Sequence, residues 1–251
     1  MNLFTHELRA EQLLFWRNRE AAFFTFFLPV IFMLIFGSVY GNDVIKKEGI
    51  RGAAFLEAGM IGYGVAATCF AGLAITMVIR RESGVLKRIR ATPLPAGAYL
   101  FAVLTSTFVV FVIEAALIVA IGRLLFSVRV PTDVPELLLI LFFGACCFAA
   151  MGLGLTGLVR SAEGSSAVIN AVYLPMAIIS GTFFTPNSYP RFLRVIAEVT
   201  PLTHYTRLTR DVMLRGEHLW PDWRQILVIG IWGAIGLFAA MRAFRWEPVE
   251  A

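Results

Sequence analysis

Six stretches of the chain are apolar for long enough to cross a bilayer, and the charge gathers in the segments between them. A helix rises about 1.5 Å per residue, so about 20 residues cover roughly 30 Å of hydrocarbon. Residues 21 to 40, 53 to 79, 98 to 121, 137 to 159, 165 to 185 and 225 to 241 meet that length. The first is Phe-rich and free of charge, and its Pro29 is tolerated in a membrane helix as a kink. The second carries Gly59, Gly62, Gly64 and Gly72, and the fourth Gly152, Gly154 and Gly157, small residues that let neighbouring helices approach closely. The pattern predicts an all-α, polytopic membrane protein: six transmembrane helices in a single membrane domain, residues 1–251.

The segments between spans have patterns of their own. Residues 1–20 place Phe4, Leu8 and Phe15 on one helical stripe that Glu11 and Gln12 interrupt, which predicts an interfacial helix on the cytoplasmic surface. Residues 186–222 read as two short helices on the outer side. Pro190 can start the first, with Phe192, Val195, Ile196 and Val199 at i, i+3, i+4 and i+7. Pro201 ends it. The second sets Tyr205, Leu208 and Val212 on one face and Arg207 and Asp211 at i,i+4 on the other, with Gly216 as a stop. Both are too short and too charged to span, so they lie in the outer interface or dip back into the protein.

Composition agrees: 58% of residues are hydrophobic and only 16% charged, against about a quarter in soluble domains. The net charge of +5 serves topology and contact with lipid headgroups, not nucleic acid. Arg80, Arg81, Lys87, Arg88 and Arg90 crowd into the 80–97 loop. Placing that loop in the cytoplasm puts both termini there too. Eleven of the 22 basic residues then fall on each side, but density close to span ends favours the cytoplasmic assignment. The N-terminus shows no cleavable signal, and the chain reads as an inner-membrane protein of a prokaryote.

Several chemical signatures fail. Gly152, Gly154 and Gly157 match G-x-G-x-x-G, but inside an apolar span, where helix packing accounts for them. His6, His204 and His218 lack metal-ligand spacing. Cys69, Cys146 and Cys147 sit in apolar runs as small packing residues. Neither G-x-S-x-G nor G-x-x-x-x-G-K-[ST] occurs. Nothing here is catalytic, binds metal or cradles a nucleotide phosphate.

What remains is the basic loop. Arg81-Glu82-Ser83-Gly84-Val85-Leu86-Lys87-Arg88-Ile89-Arg90-Ala91-Thr92-Pro93-Leu94 resembles the signature cytoplasmic loop of type-2 ATP-binding-cassette exporter permeases, which export drugs, polysaccharides and lipids. Gly181-Thr182-Phe183-Phe184, Pro186, Tyr189-Pro190, Pro201-Leu202-Thr203 and Arg210-Asp211 resemble that family's outer segment between its last two spans. The resemblance implies a coupling helix seated in a groove of a separate ATPase subunit, which binds ATP and Mg, and a second permease copy or paralogue beside this one. The residues fit: Val85, Leu86 and Ile89 form an apolar knob, Lys87, Arg88 and Arg90 ring it with charge, Gly84 permits close approach, and Pro93 ends the helix. Arg81 and Glu82 belong to the same coupling set.

Within the spans, Glu114 is the sharpest residue, because a carboxylate in hydrocarbon is costly unless paired, protonated or wetted. Tyr63, Thr68 and Thr76 on the second span, with Asn170, Tyr173 and Thr182 on the fifth, either line a translocation path with Glu114 or bond neighbouring helices. These residues predict the membrane subunit of an ATP-driven exporter of an amphipathic drug, lipid or glycan. An ion- or proton-coupled carrier using Glu114 is the alternative.

Overall fold

The computed structural model describes residues 3–45, 49–131, 133–186, 189–215 and 223–247. Gly216, expected to stop a helix, and His218 lie outside them. Among the described residues the regular structure is helical apart from a two-stranded antiparallel hairpin, β1 (Val44–Ile45) and β2 (Ile50–Arg51). Among the same residues, helix α1 (Leu3–Arg17) is followed by six helices long and apolar enough to cross a membrane. These are α2 (Arg19–Tyr40), the continuous Gly52–Glu82 helix, α6 (Ala96–Phe126), α7 (Val134–Thr156), α8 (Ala162–Ile179) and α11 (Trp223–Ala243). The continuous helix divides into α3 (Gly52–Gly64), a π-helical stretch (Val65–Gly72) and α4 (Leu73–Glu82). The short α5 (Val85–Arg90) follows it, and α9 (Arg191–Val199) and α10 (Pro201–Arg210) precede α11.

Local chemistry sets the helix ends. Asn18, Asp133 and Ser161 cap α2, α7 and α8, each side chain accepting from a backbone N–H three residues on, at 3.1 to 3.2 Å. The fifth span ends at Ile179, short of the expected 185, because Gly181 takes a left-handed φ of 84° that a helix cannot continue through.

The predicted small-residue seams hold the bundle together. A methyl at Gly154 of α7 would come within 2.6 Å of the Gly236 carbonyl of α11, and one at Gly233 within 2.7 Å of Cys147 Sγ. Gly152 faces the Phe70 backbone and Gly157 faces Ala243, so this glycine run is a packing surface. The two helices of the outer segment differ in burial. The apolar stripe of α9 (Phe192, Val195, Ile196, Val199) is exposed, whereas nine of the ten residues of α10 are buried, against α3, α7 and α11. Arg207 pairs with Glu198 of α9.

One end of the bundle collects α1, α5 and the chain's last helical turn. Phe4 lies 5.2 Å from Phe101 near the start of α6, and Tyr99 lies 6.3 Å from Trp246, ring to ring. The hairpin, α9 and the start of α11 lie at the opposite end.

Candidate functional site

The sequence between α4 and α5 builds a rigid corner. Gly84 adopts φ 71°, a conformation costly for a residue with a Cβ, and turns the chain into α5. Six residues give α5 fewer than two turns, so its faces are decided by what it packs on. Leu86 is fully buried against Leu73, Met77, Tyr99, Val103 and Ala149. The structure therefore takes Leu86 out of the expected outward knob. Val85 and Ile89 are half-buried, and Lys87, Arg88 and Arg90 are exposed.

Arg81, grouped by sequence with the coupling loop, also points inward and is 2% exposed. Its guanidinium donates to the Thr156 carbonyl at 3.0 Å, to the Val159 carbonyl at 2.6 Å and to Glu82 Oε1 at 2.7 Å. The first carbonyl lies in the last turn of α7 and the second just past it, where oxygens lack helical partners and the helix dipole favours a cation. Arg80 turns the other way. It grips Glu11 of α1 with two parallel bonds of 2.7 and 2.8 Å and donates to Tyr99 Oη of α6 at 2.7 Å. Gln12 beside it donates to the Ser106 carbonyl and hydroxyl, both at 3.0 Å. Glu7, one turn earlier, is pushed up from 4.5 by burial and by the neighbouring Glu11 charge. Two adjacent arginines thus tie the Gly84 corner to α1, α6 and α7.

Within the spans, the structure brings four of the seven proposed path residues together. Glu114 is 1% exposed; Thr68 Oγ1, in the π-helical stretch, donates to its Oε2 at 2.8 Å, while its Oε1 has no partner. The carboxyl occupies the notch left by Gly64, where a methyl would stand 2.8 Å from Oε1. Tyr63 adjoins Gly64 in sequence and faces the buried Tyr173, ring centroids 5.7 Å apart. Thr182 is buried elsewhere, bonded to Ser180 at 2.8 Å. Asn170 is half-buried one turn before Tyr173, and Thr76 is exposed on the outside of α4, away from the group.

Sequence reasoning missed Glu57. It is 1% exposed on α3, its Oε2 has no partner, and it lies against Gly122 of α6. The α3–α6 seam is therefore reciprocal: each helix sets one carboxyl into a glycine notch of the other. The signal was a lone acid at the start of the second span. Arg210, on the buried α10, stacks 3.6 Å above Phe55 and donates to the Gly181 carbonyl.

Residues 2–214 match the profile of the family described as ABC-2 type transporter. The putative transport permease YvfS of Bacillus subtilis (strain 168) is 25% identical over 230 residues, 91% of this chain and 91% of its own length. The daunorubicin resistance ABC transporter permease protein DrrB1 of Streptomyces coeruleorubidus is 25% identical over 227 residues, 87% of this chain and 77% of its own. ABC transporter G family member 20 of Dictyostelium discoideum is 25% identical over 212 residues, 83% of this chain but only 28% of its own length. A profile that takes in most of the chain, on a bundle of six apolar helices, places the protein in the ABC-2 type transporter family as a membrane permease of an ABC transporter.

Proposed function

We propose that the chain is the membrane-spanning subunit of an ATP-driven exporter: it forms the translocation path and couples through α5 to a separate ATPase subunit that binds ATP and Mg. A second permease copy or paralogue completes the path, in the inner membrane of a prokaryote, with both termini and α5 on the cytoplasmic side. The cargo is an amphipathic drug, lipid or glycan; a relative named for daunorubicin resistance supports the first. The chain itself hydrolyses nothing.

The observation that carries the reading is the corner at Gly84. Three cations and the half-buried Val85 and Ile89 face outward, while Leu86, Arg80 and Arg81 fix the inner side to three other elements. A surface that presents charge around a small apolar edge suits a partner protein, and its rigid backing suits the transmission of that partner's motion. Leu86 would report folding rather than docking, so the test uses Ile89→Asp. That variant should insert normally yet lose co-purification with the ATPase and ATP-dependent export. Undiminished export and co-purification would reject α5 as the docking element. Export that ignores ATP depletion but stops with an uncoupler would favour the carrier reading of Glu114. Orientation is checked by cysteines at Ser83 and Val44, both exposed and at opposite ends: only Val44→Cys should label with an impermeant thiol reagent in intact cells.

A further inference from the structure

Around Glu114 the bundle gathers aromatic rings from three separate segments. Tyr63 of α3 meets Phe32 of α2 edge to face at 5.8 Å and Phe183, just past α8, at 6.2 Å. Phe183 in turn meets Phe32 and Phe36, each at 5.5 Å, and Tyr173 of α8 closes the group against Tyr63. The Glu114 carboxyl lies against Gly64, the residue next to Tyr63. One polar atom of this group, Glu114 Oε1, is buried without a hydrogen-bond partner among the described residues. Thr68 meanwhile holds the other carboxyl oxygen in place.

These groups select by charge. Aromatic faces attract a cation through their quadrupole, and more strongly once water is excluded. A carboxylate in low dielectric attracts a cation far more than it does in water and repels an anion by the same law. A neutral polar group gains from that oxygen no more than a hydrogen bond. The phenyl rings beside Tyr63 accept the apolar body of the same molecule without selecting its charge.

We propose that Glu114, with the phenols and phenyl rings of Tyr63, Tyr173, Phe32 and Phe183, is the recognition point for the positively charged head of an amphipathic cargo. Transport of that cargo rests on the exporter reading; binding does not. In this structure Gly64 of α3 lies directly on the carboxyl, so the head is admitted when α3 and α6 part. The π-helical stretch that begins at Val65 lies immediately beyond that contact, and π turns in membrane-length helices recur where a helix bends at a functional site.

The test is equilibrium binding to the purified full chain in lipid nanodiscs, using two ions of nearly the same size and shape but opposite charge, tetraphenylphosphonium and tetraphenylborate. Empty nanodiscs correct for partitioning into lipid. The protein should bind the phosphonium at least about tenfold more tightly than the borate. Glu114→Gln should remove most of that preference, weakening the phosphonium by about tenfold and letting the borate, no longer repelled, bind somewhat more tightly. Glu114→Asp should restore part of it, and Phe183→Leu should weaken the phosphonium about threefold. Glu57→Gln removes an equally buried acid farther along the seam and should shift affinity by less than about twofold. Equal binding of the two ions by the unmodified protein, which no folding defect can explain, would overturn the proposal. So would phosphonium binding in Glu114→Gln at the original affinity, or an equal loss in Glu57→Gln. Because no nucleotide or ATPase enters the measurement, failure of the exporter reading shows separately, as absence of ATP-dependent export.

Discussion

The α5 end of the bundle and its interior treat buried charge in opposite ways. At the α5 end, Arg80, Arg81, Glu11 and Glu82 are each bonded to at least one partner, and Arg81 meets three. In the interior, Glu57 and Glu114 each keep an oxygen with no partner. A satisfied buried ion fixes geometry, because every displacement breaks bonds that water cannot replace there. An unsatisfied one costs stability. On the exporter reading proposed above, the α5 end would be the stiff joint on the ATPase side, and Glu114, not Glu57, would meet the cargo.

The sharpest way to break the contrast is at Arg81. Arg81→Ala strands two backbone carbonyls and the Glu82 carboxylate, and should cost about 3–5 kcal/mol of stability. Arg88→Ala, exposed seven residues later, should stay within about 0.5 kcal/mol. Thermal midpoints of the two purified variants decide the matter. If Arg81→Ala melts like Arg88→Ala, the joint at the α7 terminus carries no load.

Next in size is the link to α1. Glu11→Gln keeps the shape of the side chain but replaces the bidentate ion pair with one neutral amide acceptor beside Tyr99 Oη, a loss of about 1–3 kcal/mol. The effect should be absent in an Arg80→Gln background, because the two residues act as one unit. A double-mutant cycle with additive losses would show that they act separately.

Span number and span type were legible because length and apolarity alone decide them. What tertiary contact decides was not. The stripe of α1 looked weak because Glu11 and Gln12 interrupt it, yet those two residues carry its bonds to α4 and α6. Arg81 and Arg88 are one residue type in one basic run, and only the end of α7, some 75 residues away, buries the first. Leu86 and Ile89 cannot be told apart on a helix too short to show a period. Glu57 vanished into a long run that is otherwise apolar up to Ile79. Of the site, Glu114, Tyr63, Thr68 and Tyr173 could be named because each is polar or phenolic inside a span. Phe32 and Phe183 could not, among 22 phenylalanines.

In the interior the contrast predicts the opposite sign. Glu57→Gln removes a carboxyl whose oxygen has no partner, in a notch already fitted to its shape. Stability should rise, or fall by no more than about 1 kcal/mol, with export reduced or unchanged. A loss comparable to that of Arg81→Ala would mean that Glu57 is bonded as tightly as the α5 end, and the distinction between the two regions would collapse.

The smallest effect lies where α9 meets α10. Arg207 pairs with Glu198 across the turn between the exposed amphipathic helix and the buried one. That hydrogen bond, chief among several influences, holds the Glu198 carboxyl below its usual 4.5. A carboxyl with a lowered folded value contributes stability above its unfolded value and loses that contribution as pH falls through the folded one. The pair should therefore help at neutral pH and stop helping in acid. Its side chains are 32% and 46% exposed, so solvent and salt screening keep the contribution below about 1 kcal/mol. Arg207→Gln should lower the thermal midpoint slightly at pH 7 in dilute salt. The deficit should shrink in about 1 M salt and fall away as pH drops through the lowered folded value of Glu198. A deficit that persists in acid would assign the role of Arg207 to its packing, and the turn would then resemble the stiff α5 end instead of an ordinary surface pair.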